Sequence, residues 1–283
     1  MAIVIEQLTH DYTDGAGNYR ALHNISLTVE PGEFVSIIGH TGSGKTTLVQ
    51  HLNGLLLPTE GSVTVDGFDT RDKAQRKSAR ALVGMVFQYP EYQLFDETVL
   101  KDVAFGPKNL GRSEEEATEC AREAMRLVGL DPERFAEKSP FDLSGGEKRR
   151  AALAGILAMH PKYLVLDEPM AGLDPHGRGE ILDLIENLRQ TEGSAILMVS
   201  HSMDDVAKYA TRVLVMAKRT LVMDDTPEAV FSRAGELFSF GLDVPQATQI
   251  ALLLRKKGLD IPASICREGA LTDALIRRYS HDG

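Results

Sequence analysis

Gly39-His40-Thr41-Gly42-Ser43-Gly44-Lys45-Thr46 combines three glycines, a lysine and hydroxyl residues in the G-x-x-x-x-G-K-[ST] pattern. Glycines let the backbone curl so that several N–H groups point at one anion. A following helix adds its positive end. Lys45 neutralises the β- and γ-phosphates, and the Thr46 hydroxyl suits a hard cation such as Mg²⁺. Thr47 follows directly and is counted with the same loop. The chemistry is nucleotide phosphate binding. It requires a strand before the loop and a helix after it. The apolar run Phe34–Ile38 supplies the first, and Thr46–Asn53 reads as the second.

A second set of reactive types sits at other strand tips. Tyr163-Leu164-Val165-Leu166 is a short buried strand that ends in Asp167-Glu168. Carboxylates at the carboxyl end of a strand are how an α/β sheet presents reactive groups. Asp167 is expected to help hold Mg²⁺ through water, and Glu168 to polarise or orient the attacking water. His201 follows the strand Ala195–Val199 and is placed to reach the γ-phosphate or that water. A lone histidine there is more often an ordinary surface residue, so it gains meaning only beside the phosphate loop. Gln88 follows the strand Leu82–Phe87, and its amide oxygen suits Mg²⁺ or water.

Ser144-Gly145-Gly146-Glu147 reads first as a helix start, a capping box with two glycines between its ends. The same features make a phosphate site: a hydroxyl, exposed N–H groups and a helix dipole. One chain already has a complete cradle in Gly39–Thr46. The second site therefore points to the nucleotide of another subunit.

Around these residues the elements alternate. Ile3–Leu8 and Ile25–Val29 are strands, Pro31-Gly32-Glu33 is a turn, and Ser62–Val65 is a further strand. Residues 89–160 read as mainly helical, with a capping box at Ser113 and Glu116, an apolar stripe from Ala117 to Val128, and a helix over Ala151–Met159. A helix follows near Glu180–Gln190, then a hairpin of Val213–Met216 and Thr220–Met223. From 226 the chain is helical, with Thr226 as N-cap before Pro227, and Ile250, Leu253 and Leu254 forming an apolar stripe after Pro245.

Composition sets limits. The chain has 283 residues, 43% of them hydrophobic, which is enough for a large core. Its charge of −10 argues against a nucleic-acid partner held through phosphates. Two cysteines, Cys120 and Cys266, form neither a disulfide framework nor a metal site, and fit a reducing compartment. Cys120 falls on an apolar helix stripe and is expected in the core. The N-terminus does not read as a signal peptide. No run of about 18 apolar residues is present, so any membrane role requires a spanning partner.

The motifs occur in one order: Tyr12, Gly39–Thr46, Gln88, Leu143–Glu147, Leu164–Glu168, Gly172-Leu173-Asp174, His201. Over residues 3–225 the chain resembles the ATPase subunit of ABC transporters. That resemblance implies a P-loop NTPase (RecA-like) α/β core with an antiparallel β subdomain, a helical subdomain over about 89–160, and a small helical extension over 226–283. It implies an ATP hydrolase coupled to transport, using ATP and Mg²⁺, with Thr46, Gln88 and Asp167 serving the metal. It further implies a head-to-tail dimer in which Ser144, Gly145, Gly146 and Glu147 complete the partner's site and Asp174 couples the two. Tyr12 would stack on adenine, with Tyr19 as the alternative.

A narrower resemblance rests on Ile38–Gly42, Gln50–Leu55, Phe87–Phe95, Ala104–Asn109 and Gly241–Pro245. These segments are similar to those of energy-coupling factor transporter ATPases, motors for vitamin and transition-metal uptake. The implied partners are a second ATPase (a paralogue or another copy), a transmembrane scaffold that inserts near Gln88, and a substrate-binding membrane subunit, with no nucleic acid. The implied location is peripheral, on the cytoplasmic face of the cell membrane. Two other expectations compete: the ATPase of a binding-protein-dependent importer, and a nucleic-acid-associated ABC ATPase. The second lacks the coiled-coil insertion or zinc motif it would need.

Overall fold

The computed structural model describes residues 1–14 and 17–281. The chain opens on two long strands, β1 (Ile3–Asp14) and β2 (Gly17–Val29), then β3 (Phe34–Gly39) and helix α1 (Lys45–Leu52). Next come β4 (Glu60–Val65), β5 (Phe68–Asp69), α2 (Arg76–Leu82) and β6 (Val83–Val86). A 3₁₀ turn over Pro90–Gln93 leads into α3 (Val99–Asn109), α4 (Glu114–Leu127), α5 (Pro132–Phe135) and α6 (Gly145–Leu157). The α/β alternation resumes with β7 (Tyr163–Asp167), α7 (Pro175–Glu192), β8 (Ala195–Val199), α8 (Met203–Tyr209), β9 (Arg212–Ala217) and β10 (Thr220–Asp225). Four helices close the chain: α9 (Pro227–Ser232), α10 (Ala234–Ser239), α11 (Gln246–Lys256) and α12 (Glu268–His281).

Two sheets form. The larger has the order β10-β9-β3-β8-β7-β6. Its strands run parallel from β9 to β6, and β10 pairs antiparallel at the edge. Every residue of β3, β7 and β8 is buried, as a sheet covered on both faces requires. The smaller sheet is antiparallel, β2-β1-β4-β5. Strands β1 and β2 run well past the predicted Ile3–Leu8 and Ile25–Val29. Register shifts between Ile5 and Leu8, Leu8 and His10, and His10 and Asp11 break the alternation that periodicity detects.

One apolar core fills the space between the sheets, with Ile3, Leu8, Leu22, Val49 and Tyr163 inside it. The other lies on the opposite face of the large sheet under α3, α4, α6 and α7. Polar ties cross the seam between sheets: Tyr163 Oη donates to Asp66 Oδ1 (2.7 Å) and Lys162 Nζ to Asp66 Oδ2 (2.5 Å). The capping box expected at Ser113 and Glu116 is present, with both bonds made. Thr226 caps α9, accepting from Ala229 N. Cys120 is in the core as expected, and Cys266 is buried there too; both are free thiols.

The C-terminal segment divides. Val230, Phe231, Leu237 and Cys266 pack into the main core, whereas α11 and α12 share a small cluster of their own. The apolar stripe expected at Ile250, Leu253 and Leu254 turns out differently. Ala247, Thr248 and Ala251 face inward, Leu254 is half-buried, and Ile250 and Leu253 are exposed.

Candidate active site

The carboxyl ends of β3, β8, β7 and β6 lie in adjacent register, and each delivers predicted residues or a predicted loop. β3 ends at Gly39 and opens the phosphate loop. β8 leads to His201, β7 to Asp167 and Glu168, and β6 to Gln88.

Local sequence explains the loop. Gly44 has φ +102°, and a Cβ there would sit 2.7 Å from Ala21 O, so only glycine fits. The chain then enters α1 at Lys45. Lys45 is buried, and its Nζ donates to Gly39 O (2.7 Å) and His40 O (3.2 Å). Burial holds its pKa below the ordinary lysine value, opposed by the nearby Glu168 and Asp167 carboxylates. Ser43 Oγ is buried with no partner among the described residues. His40, Thr41 and Gly42 are exposed on the rim.

Thr46 Oγ1 donates to Asp167 Oδ1 at 3.5 Å. Burial raises the Asp167 carboxyl above its usual range, the Glu168 charge adds to this, and Thr46 and Lys45 oppose it. Glu168 is held at both oxygens: His201 Nε2 donates to Oε1 (2.6 Å) and Gln88 Nε2 to Oε2 (3.4 Å). Gln88 therefore turns its amide nitrogen toward the carboxylate. Glu168 stands at φ 51°, a left-handed conformation that costs a non-glycine residue energy and is found where geometry matters.

A cleft of about 200 Å³ runs along this row, lined by Tyr12, Tyr19, Thr41, Lys45, Glu168 and His201 among others. Tyr12 and Tyr19 are cross-strand partners on β1 and β2. Tyr12 Oη lies 3.3 Å from Thr47 Oγ1, and its ring meets His10 edge-on at 4.6 Å. Tyr19 lies under the Arg219 guanidinium, 4.2 Å from the ring centroid.

Behind Tyr12, His10 and His51 form a buried pair. His51 Nδ1 lies 2.7 Å from Thr47 O, which only accepts, so Nδ1 carries the proton. In the neutral ring Nε2 then accepts from His10 Nδ1 (3.2 Å), which also lies 3.1 Å from Leu57 O.

The remaining predicted residues lie outside that cleft. Ser144 caps α6: its side chain accepts from Glu147 N, and the Glu147 carboxylate accepts from Ser144 N at 2.8 Å. Ser144, Gly145 and Gly146 are exposed, so the helix start faces solvent. Asp174 is exposed and caps α7, accepting from His176 N and Gly177 N, and these bonds lower its pKa. Sequence reasoning did not single out Arg149 and Glu91, a buried guanidinium paired with a half-buried carboxylate behind these loops. The two are 58 positions apart, and no local pattern marks them.

The row of strand tips over a phosphate loop, with a capped glycine helix start displayed on the outside, defines an ABC-type ATPase cassette. The model of the ABC transporter family matches residues 22–171. The chain is 52% identical over 278 residues to an energy-coupling factor transporter ATP-binding protein of Clostridium perfringens, covering 98% of each chain. It is 51% identical over 267 residues to the protein so described in Clostridium tetani, covering 94% of this chain and 93% of the relative. Among solved structures it is similar to cbiO1 of Clostridium perfringens, part of the ABC transporter complex cbiONQ, with TM-score 0.72, 35% identity, and 84% and 93% of the two chains covered. A dimeric post-hydrolysis state of the cassette MJ0796, bound to ADP and Pi, matches at TM-score 0.71 and 30% identity, over 80% of this chain and 98% of that one. The chain belongs to the energy-coupling factor transporter ATP-binding proteins of the ABC family.

Proposed function

We propose that the chain hydrolyses ATP to drive an energy-coupling factor importer for a vitamin or a transition-metal ion. The observation that carries the catalytic assignment is the Glu168 carboxylate, held between Gln88 and His201 at the end of the cleft that begins at Lys45 and Thr46. In this reading Gly39–Thr47 binds the phosphates, and Lys45 supplies the charge that neutralises them. Tyr12 stacks on adenine, with Tyr19 beside it. Glu168 orients the attacking water and takes its proton. His201 fixes one carboxylate oxygen, and the longer bond from Gln88 to the other (3.4 Å) gives way when that oxygen turns toward water.

The residues fit Mg²⁺. Thr46 Oγ1 and Asp167 Oδ1 are hard oxygen donors that already share a hydrogen bond, and Gln88 offers a third from the next strand tip. Mg²⁺ keeps water and phosphate oxygens as ligands, so a few protein oxygens are enough to hold it. When bound, the ion would offset phosphate charge.

The cassette works as a pair. The exposed Ser144–Glu147 helix start and Asp174 support a head-to-tail arrangement, in which they complete the partner's site. The partner is a related ATPase or a second copy. We assign residues 1–225 to the cassette, with 89–160 as its helical subdomain, and 226–283 to an extension that contacts the partner. No helix among the described residues is long and apolar enough to cross a membrane. A spanning scaffold and a substrate-binding membrane subunit complete the transporter, with this chain peripheral on the cytoplasmic face. An apolar groove of about 440 Å³, walled by Leu94, Phe95, Phe105 and Met159, offers the scaffold a seat partly built from the segment that follows Gln88 in the chain.

Glu168→Gln tests the core of this reading. ATP binding should persist while steady hydrolysis falls by about 10²-fold or more. Robust turnover in that variant would refute the role.

A further inference from the structure

Three residues beyond Gln88, Glu91 sits on the 3₁₀ turn and receives both prongs of one guanidinium. Arg149 Nη2 donates to Oε1 (2.9 Å) and Nε to Oε2 (3.2 Å). The third nitrogen, Nη1, donates to Ala171 O (2.8 Å). Arg149 lies on α6, five residues past Ser144. Ala171 lies midway between Glu168 and Asp174. The Arg149 side chain is 7% exposed and that of Glu91 18%.

An exposed pair would count for little, because water screens it. A forked pair whose guanidinium is buried is different: its planar geometry fixes orientation, and loss of the carboxylate strands a buried charge. The turn that carries Glu91 begins at Tyr89, held at φ 56°. It continues into Gln93, Leu94 and Phe95, which line the apolar groove. The stretch holding Ala171 begins at Glu168, whose carboxylate Gln88 also touches. One side chain thus fastens the groove wall, the helix that displays Ser144, and the segment between the catalytic carboxylate and Asp174.

We propose that Arg149 and Glu91 are positioning residues that hold these three segments in one register. A displacement of the groove wall then reaches Glu168 and the Ser144 end of α6 as a single movement. Neither residue lines the nucleotide cleft. The Ser144 part rests on the composite-site reading above.

The test uses the whole transporter, copurified from native membranes with its companions and assayed in liposomes. Three variants are compared with the parent. Arg149→Lys keeps the charge but gathers its donors on one nitrogen, which cannot reproduce the planar fork to Glu91 together with the bond to Ala171 O. The expected result is kcat lower by about tenfold or more, with KM for ATP held within about twofold. Any other pattern in an assembled variant overturns the proposal, including unchanged kcat or a loss carried by KM. If Arg149→Lys fails to assemble, Glu91→Gln, which keeps the side-chain shape, decides by the same criterion. Ser144→Arg separates the two readings. Parental turnover there refutes the composite site whatever Arg149 does. Loss of turnover there with a normal Arg149→Lys refutes the positioning role alone.

Discussion

Glu168 bears two constraints at once: a left-handed backbone at φ 51° and a carboxylate bonded on both oxygens. Together they fix where the base points before any water arrives. Tyr12 and Tyr19 are less committed, since both line the cleft. Tyr12 touches Thr47 of α1, next to the phosphate loop, while the Tyr19 ring is already covered by Arg219. Tyr12→Ala should therefore raise KM for ATP by roughly two- to tenfold, the worth of about 0.5–1.5 kcal/mol of aromatic stacking, with little change in kcat. Tyr19→Ala should do less. Steady-state kinetics on the two variants decide between them. At this scale the sequence was highly legible where chemistry limits the residue type. Lys45, Thr46, Asp167 and Glu168 had few alternatives, and their spacing followed strand ends. Arg149 with Glu91 was not legible, because their meeting depends on how the 3₁₀ turn packs against α6.

Elements explain both what was readable and what was missed. β3, β7 and β8 announce themselves as apolar runs because both faces are covered. The helices α2 and α8 have seven residues each, less than the two full turns that periodicity needs, and α2 is rich in basic residues. The predicted helix Thr46–Asn53 came within one residue of α1, whose inner face carries His51. Burial lowers the His51 pKa to about 4, with the neighbouring His10 adding to this. The unfolded chain binds that proton below an ordinary value near 6.5, so the contribution of the neutral ring is full above that value. It is lost as pH falls toward about 4, on the order of 3 kcal/mol in all. Thermal melts from pH 7 to 4 should show this slope. His51→Asn should flatten it, and an unchanged slope would mean that other groups set the acid limit.

At the scale of the whole molecule, α11 leaves Ile250 and Leu253 exposed while burying the opposite, smaller-residue face. The stripe was visible in the sequence, but which face the chain would cover was not. That depended on α12 and on the packing around Ile261 and Ile265. An exposed apolar face on an extension assigned to subunit contact gives a direct expectation. Ile250→Asp with Leu253→Asp should leave the thermal midpoint almost unchanged, because neither side chain is in the core. The same double variant should weaken association of the ATPase pair, measured by sedimentation. An unaffected pair would place the contact elsewhere.

The two thiols have a practical consequence. Both are buried, and burial pushes the Cys266 thiol up to about 11, with the Glu228 charge adding to this. Thiolate is the reactive form, so a maleimide dye at neutral pH should pass Cys266 by, and at Cys120 steric shielding does the same work. The natural chain is then a quiet background for site-directed labelling. A single cysteine placed at the exposed Glu123 on α4, paired with one at the exposed Lys73, would carry donor and acceptor fluorophores without first stripping the native residues. The opening and closing of the two halves could then be timed by energy transfer in the unaltered core.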